Sequence, residues 1–219
     1  PATRLHDLCA ERGVFTGETR DGYFVPDCSL VLPEFPPEAV RAAHQKLVRL
    51  RDFCHTTKKL RRELGGPPVF DLVDLLTEAE IETPEKIFVG EDFFTIDNDT
   101  RRVLRVHPPS RVRFRFKLPY APGLRFSLAM HPQVWDKPGG DGVIFTVRAG
   151  RFVRTMKTVF ERTLDPKRIE SDRHWHEAVI DLSAWAGKRI HLELSTRTVD
   201  PARPDHNTVG FGFPIIVRR

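Results

Sequence analysis

The chain has 219 residues, of which 40% are hydrophobic and 30% are charged, enough for one large domain or two small ones. No apolar run approaches the roughly 20 residues that span a bilayer, which excludes a membrane-spanning helix. The N-terminus lacks a basic stretch followed by an apolar one, so we expect no signal peptide. Because the first residue is Pro1 and not Met, we expect the sequence to be part of a longer protein.

The three cysteines, Cys9, Cys28 and Cys54, all lie in the first quarter of the chain. Their odd number and irregular spacing argue against a disulfide scaffold. No CxxC or CxxxCxxC pattern is present to hold zinc or an iron–sulfur cluster. This cysteine usage favours a reducing compartment, and we expect a cytoplasmic location.

The net charge of +5 is concentrated in one segment. Between Arg41 and Arg62, eight Lys and Arg residues accompany the single acid Asp52, so this segment carries a charge of +7. Phe53 is its one aromatic residue, which gives little support to the base stacking of single-stranded nucleic-acid binding. A helix that docks on a protein partner is favoured, and nucleic acid is not an expected partner.

The first 66 residues predict a helical region. Its longer helix begins at the Pro-Pro-Glu sequence of residues 36–38, because proline is tolerated in the first turn. Val40, Leu47 and Leu50 then form an apolar stripe. The Gly-Gly-Pro-Pro sequence at residues 65–68 ends this helix. We therefore place a domain boundary between a helical tail, residues 1–66, and a second domain, residues 67–219.

The second domain predicts strands. In the stretch RVRFRFKL at residues 111–118, basic and apolar residues alternate, and a period of two places them on opposite faces of a strand. Further short segments are separated by Pro- and Gly-rich turns. The predicted fold class is mainly β, an antiparallel, jelly-roll-like β-sandwich preceded by the helical region. The main predicted strands cover residues 93–96, 102–106, 112–118, 124–130, 143–149, 152–164, 177–182, 190–195 and 209–217.

Four stretches carry a resemblance to a known class of domain. They are WDKPGGDG at residues 135–142, RHWH at 173–176, DLSAWAGK at 181–188 and GFGFP at 210–214. Residues 100–219 resemble the jelly-roll, carbohydrate-binding-like domains that bacteria append to larger proteins, including some sulfatase-like ones. The last stretch lacks the Trp and Asn of the Gly-Trp-Gly-Asn-Pro sequence that such domains often carry. The resemblance implies a β-sandwich that binds a ligand, with glycan as the candidate class.

The first sixty residues resemble a different family. The sequence PATRLHDLC at residues 1–9 is similar to the Pro-Gly-Thr-x-Leu-Tyr segment late in cobalamin-binding radical SAM enzymes, with Ala2 in place of the glycine. The sequence LPEF at residues 32–35, followed by a helix, fits the region just after the barrel of those enzymes. The resemblance implies a parent enzyme whose 4Fe-4S cluster, S-adenosylmethionine and cobalamin bind upstream of Pro1. It assigns no catalytic residue and no cofactor to this chain.

The loop at residues 135–142 is the first candidate site. Trp135 offers an aromatic ring, while Asp136 and Asp141 offer carboxylates. Sugars stack their apolar faces on aromatic rings and donate hydroxyl hydrogen bonds to carboxylates, so the loop can serve as a glycan platform. The alternative is a structural role, in which Trp135 folds over the end of the sandwich and Asp141-Gly142 makes a turn.

A possible metal site is the second candidate. A strand through residues 174–176 would place His174 and His176 on one face and Trp175 on the other. A third ligand would have to come from elsewhere, with His191 and Glu177 as candidates. The alternative makes Trp175 a core residue and the two histidines solvated edge residues.

The basic row of residues 111–117 has two interpretations. Arg111, Arg113, Arg115 and Lys117 share a strand face and could meet phosphate or an anionic surface. Such a row is more often solvated and paired with acids on neighbouring strands, for which Glu193 is a candidate.

The Asp97-Asn98-Asp99 sequence has oxygen ligands suited to calcium. The same three residues are typical of a hairpin turn, which is the favoured interpretation.

No Gly-x-Ser-x-Gly motif, no phosphate-binding glycine loop and no His-Glu-x-x-His motif occurs. We therefore expect a non-catalytic accessory module that binds a glycan or another small molecule at the C-terminal end of a larger, bacterial-type radical SAM enzyme. Its expected partner is the catalytic domain upstream in the same chain. The alternatives are a metal-dependent enzyme with its site on the sandwich loops and a purely structural module that orients the catalytic domain.

Overall fold

The computed structural model describes residues 68–137, 142–200 and 207–218. In these ranges the chain forms eleven β-strands and no α-helix. The helical tail predicted for residues 1–66 lies outside the described residues. The strands are β1 (Phe70–Asp71), β2 (Glu80–Glu82), β3 (Val89–Ile96), β4 (Asp99–Val106), β5 (Ser110–Lys117), β6 (Pro122–Met130), β7 (Val143–Gly150), β8 (Lys157–Leu164), β9 (His176–Asp181), β10 (Arg189–Thr198) and β11 (Val209–Arg218).

Two antiparallel sheets make up the fold. Sheet A has the order β3-β4-β11-β6-β9, with β1 also paired to β11, and sheet B has the order β2-β5-β10-β7-β8. From β4 onward the chain changes sheets at every connection except that between β7 and β8. The loops between strands therefore gather at the two ends of the sandwich, where side chains from different sheets can meet.

The core lies between the sheets and is rich in phenylalanine. Phe211 of β11 in sheet A contacts Phe145 of β7 in sheet B, with ring centroids 5.4 Å apart. Phe126 of β6 packs on the ring of Phe211, with ring centroids 5.6 Å apart. All three side chains are fully buried, and each contributes roughly 1.5–3 kcal/mol from the removal of apolar surface from water. The predicted mainly β sandwich is confirmed.

Strand β5 shows the predicted alternation. Val112, Phe114 and Phe116 are buried, whereas Arg115 and Lys117 are exposed. The apolar row faces sheet A because these positions belong to the main core cluster. The basic row covers the outer face of sheet B.

The predicted turn between β3 and β4 is confirmed. Asp97 and Asn98 form a two-residue hairpin loop with φ of 51° and 61°. Asp and Asn tolerate these left-handed values, which give the turn a twist that matches the strands. Asp99 accepts hydrogen bonds from Arg101 Nε at 2.9 Å and Nη2 at 2.6 Å, so its carboxylate is engaged within the hairpin.

The strand predicted over residues 152–164 is wrong at its start, because β8 begins at Lys157. A 3-10 turn covers Val153–Thr155, and the Thr155 N–H donates to the oxygen of Phe152 at 3.0 Å. Gly150 permits this turn, since a Cβ there would lie 2.8 Å from Met156 Cα. The apolar Phe152 and Val153 are therefore loop residues exposed to solvent, not core residues.

No helix in the described part of the chain combines the length and apolar character that crossing a bilayer requires.

Candidate functional site

The structure brings together side chains of the loop at residues 135–142 and of residues 173–176, which the sequence analysis considers as two separate candidate sites. Trp135 follows β6, and the residues just before β9 lie beside it. The two regions meet because Leu128 of β6 pairs with His176 of β9. The β6–β7 connection, which follows β6, and the β8–β9 connection, which precedes β9, therefore lie at the same end of the sandwich.

Trp135 closes this end of the sandwich. Its Nε1 donates to the backbone oxygen of Met130 at 3.1 Å. The half-buried ring packs against the main core and against a second apolar cluster that includes Phe94 and Trp175. This packing matches the structural alternative considered for Trp135, and it also fixes the start of the loop. Asp141 lies outside the described residues.

Asp136 and Arg173 form an ion pair above this ring. Arg173 Nη2 lies 3.1 Å from Asp136 Oδ1, and the guanidinium carbon lies 5.7 Å from the centroid of Trp135. Arg173 Nε donates to the backbone oxygen of Pro166 at 2.7 Å. The Asp136 side chain is 87% exposed and that of Arg173 is 31% exposed. A carboxylate acceptor and a guanidinium donor thus face solvent side by side.

Trp175 fixes the segment that carries Arg173. It is buried on the outer face of sheet A, where its Nε1 donates to the oxygen of Asp99 at 3.2 Å. The Arg101 guanidinium lies 4.8 Å from its ring centroid. The ring lies against Gly212, since a Cβ there would be 2.8 Å from Trp175 Cζ3 and 2.5 Å from Ser127 Oγ. The glycine therefore provides the space that the indole occupies.

His174 and His176 are neighbours with different environments. Their ring centroids are 4.0 Å apart, but His174 is exposed and His176 is 4% exposed. His176 Nε2 lies 3.3 Å from the backbone oxygen of Asp172. Burial, together with the charges of Arg162 and His174, lowers the pKa of His176 below its usual value. The alternative to the metal site predicted a buried Trp175 and two solvated histidines. Trp175 is buried and His174 is exposed, but His176 is buried.

The proposed third metal ligands lie in different surroundings. Glu177 forms an ion pair with Arg101. His191 is on β10 of sheet B, opposite Arg115 and Gly150. Within the described ranges, no group of three or more His, Cys, Asp or Glu side chains could hold a metal ion. The assignment of His174 and His176 as metal ligands stays a prediction.

The basic row of β5 is divided between paired and unpaired residues. Arg113 Nη2 lies 2.8 Å from Glu193 Oε2, which confirms the predicted pairing with Glu193. The carboxylate of Glu193 is 3% exposed and also contacts Arg148 at 3.3 Å. By contrast, Arg115 and Lys117 have no ion pair within the described part of the chain. The strand thus contains a buried charge network at one position and open cations further along.

Sequence reasoning missed Arg173 as a site residue. It lies in the RHWH stretch, where the two histidines suggested a metal site and the tryptophan a core residue. The available signal was its position next to aromatic residues in a loop, but the pairing with Asp136 joins positions 37 residues apart in the chain. Only the pairing of β6 with β9 brings them together.

No protein-family model matches the chain. Among curated proteins, it is similar to an uncharacterized protein of Archaeoglobus fulgidus, with 37% identity over 180 residues. The match covers 78% of this chain and 41% of that protein, so the chain spans about two-fifths of the relative's length.

Several similar solved structures contain carbohydrate-binding modules. One is the CBM51-2 domain with INT domains of Clostridium perfringens ZmpB in complex with GlcNAc, with 12% identity, a TM-score of 0.45, and coverage of 68% of this chain and 31% of that one. Another is TmCBM61 in complex with β-1,4-galactotriose, with 11% identity, a TM-score of 0.41, and coverage of 66% and 90%. Similarities of this size do not identify a ligand for this chain.

Proposed function

We propose that this domain is a non-catalytic, accessory carbohydrate-binding module. Its binding site comprises Trp135, Asp136 and Asp141, as the sequence predicts, together with Arg173. The observation that carries the proposal is the solvent-facing ion pair of Asp136 and Arg173, held above the ring of Trp135.

The chemistry of this pair suits sugar hydroxyl groups. A hydroxyl both donates and accepts hydrogen bonds, so adjacent hydroxyls can donate to the Asp136 carboxylate and accept from the Arg173 guanidinium. With 87% of its side chain exposed, Asp136 has oxygen lone pairs open to a ligand. The ring of Trp135 is half-buried, so part of its apolar surface is open to a ligand beside the Arg173 guanidinium.

Two side chains of the site, Arg173 and Trp135, are held in place before any ligand arrives. Arg173 is held by the Pro166 oxygen at 2.7 Å, and Trp135 by the Met130 oxygen at 3.1 Å. Binding therefore orders few side chains, each of which would otherwise cost about 0.5–1.5 kcal/mol. Preorganised contacts of this kind favour a saturable site over incidental surface contacts.

The wider context of the domain is part of the proposal. We propose that it lies at the C-terminal end of a larger enzyme, for which a radical SAM protein is the candidate because of residues 1–9 and 32–35. The coding sequence upstream of Pro1 tests this directly. A CxxxCxxC motif there would support the radical SAM parent, and a different catalytic domain would discard it without affecting the glycan site.

A nuclear magnetic resonance titration tests the site itself. The three indole N–H groups of Trp135, Trp175 and Trp185 give separate signals in a 15N spectrum of the full chain. Addition of pooled neutral oligosaccharides should shift the Trp135 signal in a saturable way and leave that of Trp185 in place. If the shifts are confined to Trp185, or if no pool shifts any indole signal, the site is wrongly placed or absent.

A further inference from the structure

The end of the sandwich opposite Trp135 has a distinct surface, which we call the basic end. It consists of the turns at residues 118–121, 150–156 and 182–188. They share one end because Lys117 pairs with Arg189 and Gly150 pairs with His191. The Gly187 N–H also donates to the oxygen of Pro119 at 3.2 Å, which joins two of the turns.

Large apolar side chains project from the basic end. Tyr120 is 84% exposed, Phe152 is 64% exposed and the adjacent Val153 is 38% exposed. Phe152 and Val153 form the tip of the β7–β8 turn, directly between Arg151 and Arg154. Scattered exposed apolar residues need no explanation. Two adjacent ones at a loop tip, with an arginine on each side, are instead typical of a surface that contacts a partner or a membrane.

The cations of the basic end are open to solvent. Each is exposed, and none forms an ion pair within the described part of the chain, although the guanidinium carbon of Arg151 lies 5.8 Å from the centroid of the Phe152 ring. In contrast, the arginines further along sheet B, such as Arg113 and Arg148, are paired with Glu193. Asp181, an acid near the basic end, accepts hydrogen bonds from the Ser183 N–H and hydroxyl. The open cations are Lys117, Arg151, Arg154, Lys157 and Arg189.

The apolar tip is built as a stable turn. The Thr155 N–H donates to the Phe152 oxygen at 3.0 Å, and the backbone packs tightly where Gly150 faces Met156. The ring of Tyr120 lies beside Gly187, where a Cβ would be 3.4 Å from Cε1. These contacts hold the turn that places Phe152 and Val153 at its tip and keep Tyr120 next to Gly187.

We propose that the basic end docks on a membrane surface that contains anionic lipids. Phe152 and Val153 would enter the interface between headgroups and acyl chains, and Tyr120 would lie at headgroup level, where aromatic side chains are enriched. The open cations would attract anionic headgroups, each strengthening binding by about fivefold. Val153 favours lipid over nucleic acid or an acidic polysaccharide, because a valine side chain has no ring on which a base or sugar can stack.

Vesicle binding by the full chain tests the proposal. Sedimentation would compare vesicles of phosphatidylcholine with vesicles that contain one-fifth phosphatidylglycerol. We expect binding to the anionic vesicles, weakened about tenfold by Phe152→Ser and about 25-fold by the double substitution Arg151→Gln/Arg154→Gln. Ile87→Ser is the matched control, because Ile87 is 70% exposed and lies near the other end of the sandwich.

A fluorescence measurement shows whether the tip enters the membrane. Phe152→Trp should shift its emission to the blue with anionic vesicles and be quenched by brominated acyl chains. The proposal is overturned if Phe152→Ser binds as the unaltered chain does, since residues 41–62 could then account for the attraction by charge alone. It is equally overturned if Phe152→Trp stays unquenched while single-stranded DNA binds the basic end. Neither result bears on the glycan site, which lies at the opposite end.

Discussion

Arg173 joins two loops of the sandwich through Asp136, with Nη2 and Oδ1 3.1 Å apart. The pair connects the β6–β7 loop to the segment that leads into β9, so two connections that are distant in sequence act as one surface. Because Trp175 is anchored on the outer face of sheet A, the backbone that carries Arg173, two residues earlier, is held in position. The part of the candidate site formed by Trp135, Asp136 and Arg173 is therefore held by contacts with the folded framework.

Substitution of Arg173 should affect binding more than stability. We expect Arg173→Gln to weaken glycan binding about tenfold, since it removes a charged donor, as measured by isothermal titration calorimetry. The free energy of unfolding should fall by about 1 kcal/mol, chiefly from the lost hydrogen bond to the Pro166 oxygen, because the ion pair with the exposed Asp136 contributes little. Arg168→Gln is the control, because Arg168 is 57% exposed and lies 3.8 Å from Asp165. Equal losses in both variants would contradict a specific role for Arg173.

Glu193 should be essential for the stability of sheet B. Its carboxylate is 3% exposed between Arg113 and Arg148, so Glu193→Ala leaves two guanidinium groups without their shared partner. We expect a loss of about 3 kcal/mol in the free energy of unfolding, measured by urea denaturation. Glu82→Ala removes an exposed partner of Arg111 and should cost less than about 1 kcal/mol. Similar values for the two variants would show that the buried network contributes little.

Gly212 should not tolerate a side chain. A Cβ at this position would lie 2.5 Å from Ser127 Oγ and 2.8 Å from Trp175 Cζ3, so Gly212→Ala must displace the indole. We expect a loss of about 1–3 kcal/mol in thermal or urea unfolding. Gly90→Ala, where the nearest atom is Arg105 Nη2 at 3.4 Å, should be close to neutral. A Gly212→Ala variant as stable as Gly90→Ala would contradict the packing of Trp175 on sheet A.

The buried His176 predicts a dependence of stability on pH. Its lowered pKa means that the unfolded chain binds a proton more readily, so stability falls as pH decreases below about 6.5. The groups around the ring are Asp172, Arg162 and His174. Urea unfolding between pH 7.5 and 5.5 should show this loss, and His176→Gln should reduce the slope. His191 also has a lowered pKa. If the slope disappears only in His191→Gln, the pH dependence arises from His191 and the prediction for His176 is wrong.

The fold was predictable where the sequence had local signals. The alternation in β5 predicted its buried and exposed faces, and the Asp97-Asn98 turn predicted the β3–β4 hairpin. The start of β8 was not predictable by the same means, because Phe152 and Val153 have the apolar, β-branched and aromatic character of strand residues. The fold places them in a turn, where Gly150 allows the chain to close tightly.

The candidate site was predictable only in part. Trp135 and Asp136 were accessible to sequence reasoning because an aromatic residue and acids share a glycine-rich loop. Arg173 was not, since its contact with Asp136 depends on strand pairing between β6 and β9. The burial of His176 likewise depends on its inward-facing position on an edge strand, which a two-residue spacing cannot reveal.

The central claim, that the Trp135 end binds carbohydrate, is tested most directly on a glycan array. The full chain would be compared with Trp135→Ala, with Asp136→Asn and with the control Tyr120→Ser at the basic end. We predict saturable binding to a defined set of glycans, lost in the first two variants and retained in the control. No signal from the unaltered folded chain, or an equal signal from Trp135→Ala and Asp136→Asn, would contradict the account.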